Sequence, residues 1–403
     1  MDPVRQQYES YPYPARDPAD EGRRLIEGSP SHPVEIDHYL FQGRRDWSQP
    51  FRALVAGGGT GDGLIMLAQK LADIGCPAEI TYLDMSEASR EIAEARARVR
   101  GLEVRFITGD LLSAPDYGPF DYIDCCGVLH HLPDPDAGFQ ALAAALAPDG
   151  GMGLMVYAPL GRSGVYPLQD AFGSLLGGDA PEDKVRLGKA MLAELPETHP
   201  FKRNPHLRDH NDSDAGFHDL LLHSRDRAYG IAELAGALER ADLGLVSCVE
   251  SIRYDPASYL PKTPEMAERI KALDPIDRMA VAEQLAGNIK THVVYAAPKA
   301  RAKKCSARPT KPDLVPHLSG VAPAALAKQI RDKGRLTAGF DEVSLTAMLP
   351  EDAGGLIGRI NNDRTLGQMS FGEDWMAFSA LWGPVHRVLT GFNLLHYSVG
   401  ARR

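Results

Sequence analysis

The run Leu54-Val55-Ala56-Gly57-Gly58-Gly59-Thr60-Gly61-Asp62-Gly63 carries an apolar stretch straight into a glycine-rich turn. Glycine has no Cβ, so such a turn lets a ligand approach the backbone closely, and the helix that follows offers free amide groups. Asp84, with Met85 beside it, comes about 20 residues after the turn, where an acid can accept from both ribose hydroxyls of a nucleoside cofactor. Gly109-Asp110-Leu111 adds a carboxylate able to accept from an adenine amino group and an apolar side chain to pack on the ring. A turn of this kind alone serves NAD, FAD and S-adenosylmethionine alike. A nicotinamide enzyme has no particular need for the third element.

These residues need strand ends to hold them, and the surrounding pattern supplies strands. Ala53–Ala56, Glu79–Leu83, Val104–Thr108, Tyr122–Cys126 and Gly153–Tyr157 read as strands. Helical stretches separate them at Leu64–Ile74, Ser86–Arg100 and Asp136–Leu146, the last closed by Pro148-Asp149-Gly150-Gly151. After Ala158 the periodicity loosens until a helix at Ile231–Ala241, a strand at Leu245–Arg253, a helical insertion at Pro264–Asn288 and a strand at Thr291–Ala297. Repeated strand-helix units make an α/β, doubly wound sheet with helices on both faces.

Residues 1–50 read as an N-terminal arm or lid. Tyr8, Tyr11 and Tyr13, interleaved with Pro12 and Pro14, favour an extended segment over a helix, and three such rings need a surface to pack on. Residues 51–298 form the main domain, with insertions at about 160–228 and 256–290. Residues 299–312, with six basic side chains among Pro and Ala, read as a solvated linker. Residues 313–403 then form a small, mostly helical accessory domain.

In order and spacing, the segments from 51 to 158 resemble the class I S-adenosylmethionine-dependent methyltransferases. The resemblance implies a Rossmann-like sheet of seven strands and S-adenosyl-L-methionine as cofactor. It implies cofactor contacts from Ala56, Gly57, Gly59, Gly61, Asp84, Met85, Asp110 and Leu111, with Gly127 and Val128 at the end of the fourth strand. That family commonly has Asp or Glu two residues before the first glycine, where this chain has Val55. The grip on the methionine amino group must therefore come from elsewhere, and the carbonyls of Ala56 and Gly127 are the first candidates.

A looser similarity reaches the rest of the chain. Tyr8-Glu9-Ser10-Tyr11-Pro12-Tyr13-Pro14, Asp219–His223 with Asp226–Tyr229, and Asn288–His292 are similar to bacterial methyltransferases with a regulatory region, a group that includes protein-lysine methyltransferases. Leu349-Pro350 through Leu366 resembles that group's C-terminal segment, which is winged-helix-like.

His130, His131 and Tyr157 fall at strand ends where open sheets place ligands, so they are the candidates for proton handling at the acceptor. Tyr11, Tyr13, Arg162, His218 and His223 are the candidates for holding the acceptor. His199, His206, His210, His218 and His223 crowd into a short stretch, but their spacing is irregular, and a polar acceptor pocket explains them better than a metal site; no metal is expected.

A net charge of -10 argues against nucleic acid as partner. With no apolar run of about 18 residues and no signal-like start, neither a membrane segment nor export is expected, and a cytoplasmic protein is. The five cysteines form neither a disulfide framework nor a CxxC pattern. The expected reaction is methyl transfer to a small molecule; a protein (lysine) acceptor, and a cofactor-binding regulator without turnover, stay open. So does a homodimer.

Overall fold

The computed structural model describes residues 2–399. Seven strands form one sheet: β1 (Phe51–Ala56), β2 (Ala78–Asp84), β3 (Arg105–Thr108), β4 (Phe120–Cys126), β5 (Leu146–Tyr157), β6 (Leu243–Cys248) and β7 (Thr291–Pro298), in the spatial order β3-β2-β1-β4-β5-β7-β6. All pairs are parallel except those of β7, which runs antiparallel between β5 and β6. The central strands are nearly continuous apolar runs because both faces are covered, as parallel sheets require. One face packs on the helices that follow β4 and precede β6, the other on the helix after β1 and on Pro33–Leu40. The strand order reverses beside β1, so the glycine turn leaves the sheet at its switch point.

Several boundaries differ from the sequence reading. Pro148 to Gly151 does not close a helix: it belongs to β5, which starts at Leu146 and pairs with Phe120 through a register shift. The strand expected over Leu245–Arg253 stops at Cys248, and Ser251–Tyr254 is a 3-10 turn entered through Glu250 at φ 56°. The arm is not wholly extended. Asp2 caps a helix at Pro3–Ser10 by accepting from Val4 N at 2.8 Å, and Pro3 occupies the first turn, where a missing N–H costs nothing.

The insertion after β5 is ordered into helices Val165–Leu176, Pro181–Glu194, Asp209–Asp212 and Asp214–Leu221, around an apolar cluster that includes Phe172, Phe201, Phe217 and Leu221. The second insertion is the helix pair Pro264–Ala272 and Pro275–Ala286.

The basic linker is docked rather than solvated. Lys299–Ala302 is a helical turn, Ala302, Cys305 and Ala307 are buried, and Arg301 donates to the carbonyls of Leu40, Asp149 and Gly150. Beyond it, β8 (Val315–Leu318) pairs with β11 (Leu395–Ser398), and helix Pro323–Lys333 leads into a hairpin, β9 (Arg335–Phe340) and β10 (Val343–Met348). This unit has its own core around Phe378, Trp382, Leu389 and Tyr397, with Trp382 Nε1 donating to the Tyr397 hydroxyl at 2.9 Å. Glu35, in helix Pro33–Leu40, accepts from Tyr295 of the sheet and from Asn393 of the C-terminal unit, tying the two together. No helix among the described residues is long and apolar enough to cross a membrane.

Candidate cofactor and acceptor site

The turn after β1 is held open by glycine. Gly57, Gly59 and Gly61 have φ of 67°, 51° and 99°, a region L side chains rarely adopt. A Cβ on Gly57 would lie 2.3 Å from Val128, so this position tolerates nothing larger. The Gly59 N–H donates to Asp84 Oδ2 at 2.8 Å and its carbonyl accepts from the Tyr82 hydroxyl at 2.7 Å, which fixes the turn against the end of β2.

Above the turn lies a cavity of about 510 Å³, in the range that small-molecule sites occupy. Of the residues expected to contact a cofactor, Gly57, Gly59, Asp84, Met85, Asp110, Leu111, Gly127 and Val128 line it. Burial pushes the Asp84 carboxyl up, against the lowering effect of the N–H groups of Ser86 and Gly59. Those two donors leave each oxygen with a further lone pair for a ribose hydroxyl. Asp110 Oδ1 caps the turn Leu111–Asp116 through Leu112 N at 2.9 Å, while Leu111 is buried below.

Ala56 and Gly61 do not reach the cavity. Ala56 is buried in the sheet core, and Gly61 is the N-cap of helix Asp62–Asp73, with its Cβ direction facing Ala93.

The second half of the cavity is built from strand ends, the insertion and the arm. His131, Tyr157 and Tyr13 line it, together with Asp219 and Arg225. Asp219 Oδ1 accepts from the Tyr8 hydroxyl at 3.0 Å and Oδ2 from the Tyr157 hydroxyl at 3.1 Å. Burial raises the Asp219 carboxyl above the ordinary range, with His131, Tyr8 and Arg162 opposing.

His131 Nδ1 lies 2.9 Å from the Arg225 carbonyl, which can only accept, so Nδ1 carries the hydrogen and Nε2 is the basic nitrogen. His223 takes the opposite tautomer. Its Nδ1 accepts from Arg225 N at 3.1 Å, leaving Nε2–H to donate to the Tyr8 oxygen 3.3 Å away.

The other expected acceptor residues stand behind this wall. His130 is wedged between the tilted rings of His131 and Tyr157, and neither of its ring nitrogens has a hydrogen-bond partner among the described residues; burial holds it well below the usual histidine range, so it stays uncharged. Arg162 lies 3.6 Å over the Tyr157 ring and donates to Asp226 at 2.9 Å. Tyr11 stacks on His218, whose pKa burial lowers to about 4. His223 stacks on His131 at 3.8 Å. These groups position Tyr157, His131 and the arm.

The histidine-rich stretch does not converge: His199 caps its own turn at Phe201 N, and His210 packs on Phe201. Two sets of donors do lie close together, His130, His131 and Asp226, and His131, Asp219 and His223. Arg162 already neutralises Asp226.

Sequence reasoning did not single out Tyr8, Asp219 or Arg225 as site residues, nor Asp124 and Ser31. Tyr8 and Asp219 stood inside the segments similar to the regulatory-region group, and only the fold pairs them.

The arm closes over the cavity along most of its length, with Asp2, Tyr8, Tyr13, Pro14 and residues 26–30 in the lining. Buried Arg96 bridges Glu21 of the arm at 2.6 Å and Asp62 at 2.8 Å, and Arg16 binds Asp62 at 2.5 Å. Eight acidic residues line the cavity against one arginine, Arg225; Asp2, Glu27 and Asp62 are paired with Arg225, with Lys70, and with Arg16 and Arg96, which leaves Asp84, Asp110, Asp124, Asp134 and Asp219 without an ion pair among the described residues. Such a lining attracts cations.

Residues 54–152 match the family described as methyltransferase domain. An uncharacterised protein of Synechococcus sp. is 32% identical over 253 residues, 60% of this chain and 59% of that protein. The ubiquinone biosynthesis O-methyltransferase of Stutzerimonas stutzeri is 34% identical over 99 residues, 21% of this chain and 43% of that enzyme. The chain thus covers less than two thirds of these relatives. Among solved structures, that of PKMT2 from Rickettsia typhi in complex with AdoHcy has the same fold, with a TM-score of 0.62 over 91% of this chain and 75% of that one, at 14% identity. Residues 54–152 are thus similar to a methyltransferase domain, and the fold around them is the Rossmann-like seven-stranded sheet that PKMT2 shares.

Proposed function

We propose that the protein transfers a methyl group from S-adenosylmethionine to a small molecule held in the second half of the cavity. The observation that carries this reading is one acid-lined cavity partly covered by the arm. The glycine turn, Asp84 and Asp110 share it with His131, Tyr157 and Asp219 under the arm.

When bound, S-adenosylmethionine supplies a methyl group on a cationic sulfonium that is already activated. The protein's part is alignment, exclusion of water and, where the acceptor starts protonated, removal of a proton. Asp84 takes the ribose, Asp110 and Leu111 take the adenine, and the glycine turn carries the methionine portion. His131 Nε2 is the available base, and the Tyr157-Asp219-Tyr8 chain orients the acceptor and shares its charge. The arm shields the reaction from bulk water, and its position over the cavity supports an acceptor of small size.

Calorimetry tests the donor half of the reading. S-adenosylmethionine and S-adenosylhomocysteine should both bind one to one, and NADH should not. Binding of NADH with neither of the others would overturn it.

A further inference from the structure

Asp124 is a buried carboxylate without a cation. It is 4% exposed, it lines the cavity, and no ion pair among the described residues includes it. Its partners are neutral: the Ser31 hydroxyl and the Cys126 thiol both donate to it. An ionised carboxylate so placed is costly unless a positive group meets it.

Its position says which group that is. In the parallel pair β1–β4, Asp124 is the register partner of Val55, the residue two before the first glycine, and paired residues present their side chains on one face of the sheet. Val55 and Asp124 both line the cavity. On the other flank of β1, Ala56 pairs with Leu83, so Asp84 stands just past the end of that pair. A ligand draped over the glycine turn therefore meets one acid on each side, Asp84 and Asp124. Gly63 completes the approach: a Cβ there would sit 3.1 Å from Asp124 Oδ2.

Resting on the donor reading above, we propose that Asp124, held by Ser31 of the arm, binds the α-ammonium group of the cofactor's methionine portion, the acid being supplied from β4 instead of β1. The carbonyls of Ala56 and Gly127 are then secondary partners at most. Because Ser31 belongs to the arm, the arm helps build the cofactor half of the site as well as covering the acceptor half.

The test pairs protein and ligand changes. Calorimetry compares S-adenosylhomocysteine with its desamino analogue, which keeps the carboxylate and lacks the amine. Wild-type protein should prefer the amine by about 10- to 100-fold, the range for a hydrogen bond to a charged group. Asp124→Asn should abolish that preference by weakening S-adenosylhomocysteine alone, and Val55→Asp added to Asp124→Asn should restore part of it.

Equal weakening of both ligands, or of neither, overturns the assignment. Should Asp124→Asn fail to fold, the wild-type comparison still decides, since equal affinity for the two ligands also overturns it. Failure of wild type to bind any S-adenosyl compound overturns the donor reading itself, and the assignment with it.

Discussion

Tyr8, in the first helix, donates its phenolic hydrogen to Asp219, 211 residues away in the insertion, at 3.0 Å. With the Tyr8–His223 contact, that bond joins the arm to the wall of the cavity's second half and places Tyr8 and Asp219 beside the Tyr157 hydroxyl. Asp219→Asn removes the charge that Tyr8 and Tyr157 share while keeping the shape. Steady-state kinetics should show kcat lowered by about 100-fold, the lower end of the range for a positioned proton-handling group, with cofactor affinity within about twofold. Unchanged kcat would remove Asp219 from the reaction.

Asp84→Ala takes away the acceptor for the ribose hydroxyls and also the partner of Gly59 N–H. Cofactor binding should weaken by about 1–3 kcal/mol, read by calorimetry with S-adenosylhomocysteine. Unaltered affinity would show that the ribose lies elsewhere.

The arm should detach when Asp62 loses its charge. Burial pushes the Asp62 carboxyl up, but its hydrogen bonds to Arg16 and Arg96 outweigh that and hold it below the ordinary range. A carboxyl depressed in the folded protein stabilises it above the unfolded pKa of about 3.9, and that contribution is lost as pH falls through the lower folded value. At neutral pH, Asp62→Asn imitates the acid state. Trypsin should then cut faster after Arg16, Arg23 and Arg24; cleavage as slow as in wild type would contradict the tie.

Cofactor affinity should fall in acid. Burial pushes Asp124 up to about 6, against the opposing hydrogen bonds from Ser31 and Cys126. The titratable groups facing it, Tyr122 and Cys126, and Cys125 on the other face of the strand, are pushed well above their usual ranges, so they stay neutral there. The free carboxyl must be ionised to meet an ammonium, so affinity should be level above pH about 6 and drop below it, by up to about tenfold per unit. The α-amino group, with an ordinary pKa near 8, keeps its charge across that window. Calorimetry of S-adenosylhomocysteine from pH 5 to 7 reads the effect, and a flat profile would contradict it.

The cofactor half was legible because its residues follow directly from strand ends: the glycine turn after β1, Asp84 after β2 and Asp110 after β3 are local features with fixed spacing. Asp124 was not, since its meaning depends on which strand lies beside Val55, and pairing of β1 with β4 is a non-local fact. The acceptor half was legible in composition but not in arrangement. Tyr11, His218 and His223 were expected to hold the acceptor, yet they stand behind the wall, and Tyr8 and Asp219 form it. The arm's first helix was hidden by Pro3 and the tyrosine-proline alternation after it, although Asp2-Pro3 is itself a helix-start signal. Hairpin β9–β10 was missed because its alternation is short. Its turn residues, Asp341 and Glu342, both sit at positive φ without a glycine to mark them.

The most direct measurement of the central claim follows the methyl group. Purified protein is incubated with S-adenosylmethionine labelled on that carbon and a cell extract separated into small molecules and proteins. The account predicts protein-dependent label in the small-molecule fraction, lost with Asp219→Asn. Label confined to polypeptide would contradict the small acceptor, and no transfer to either fraction by a protein that binds the donor would contradict the methyl transfer itself.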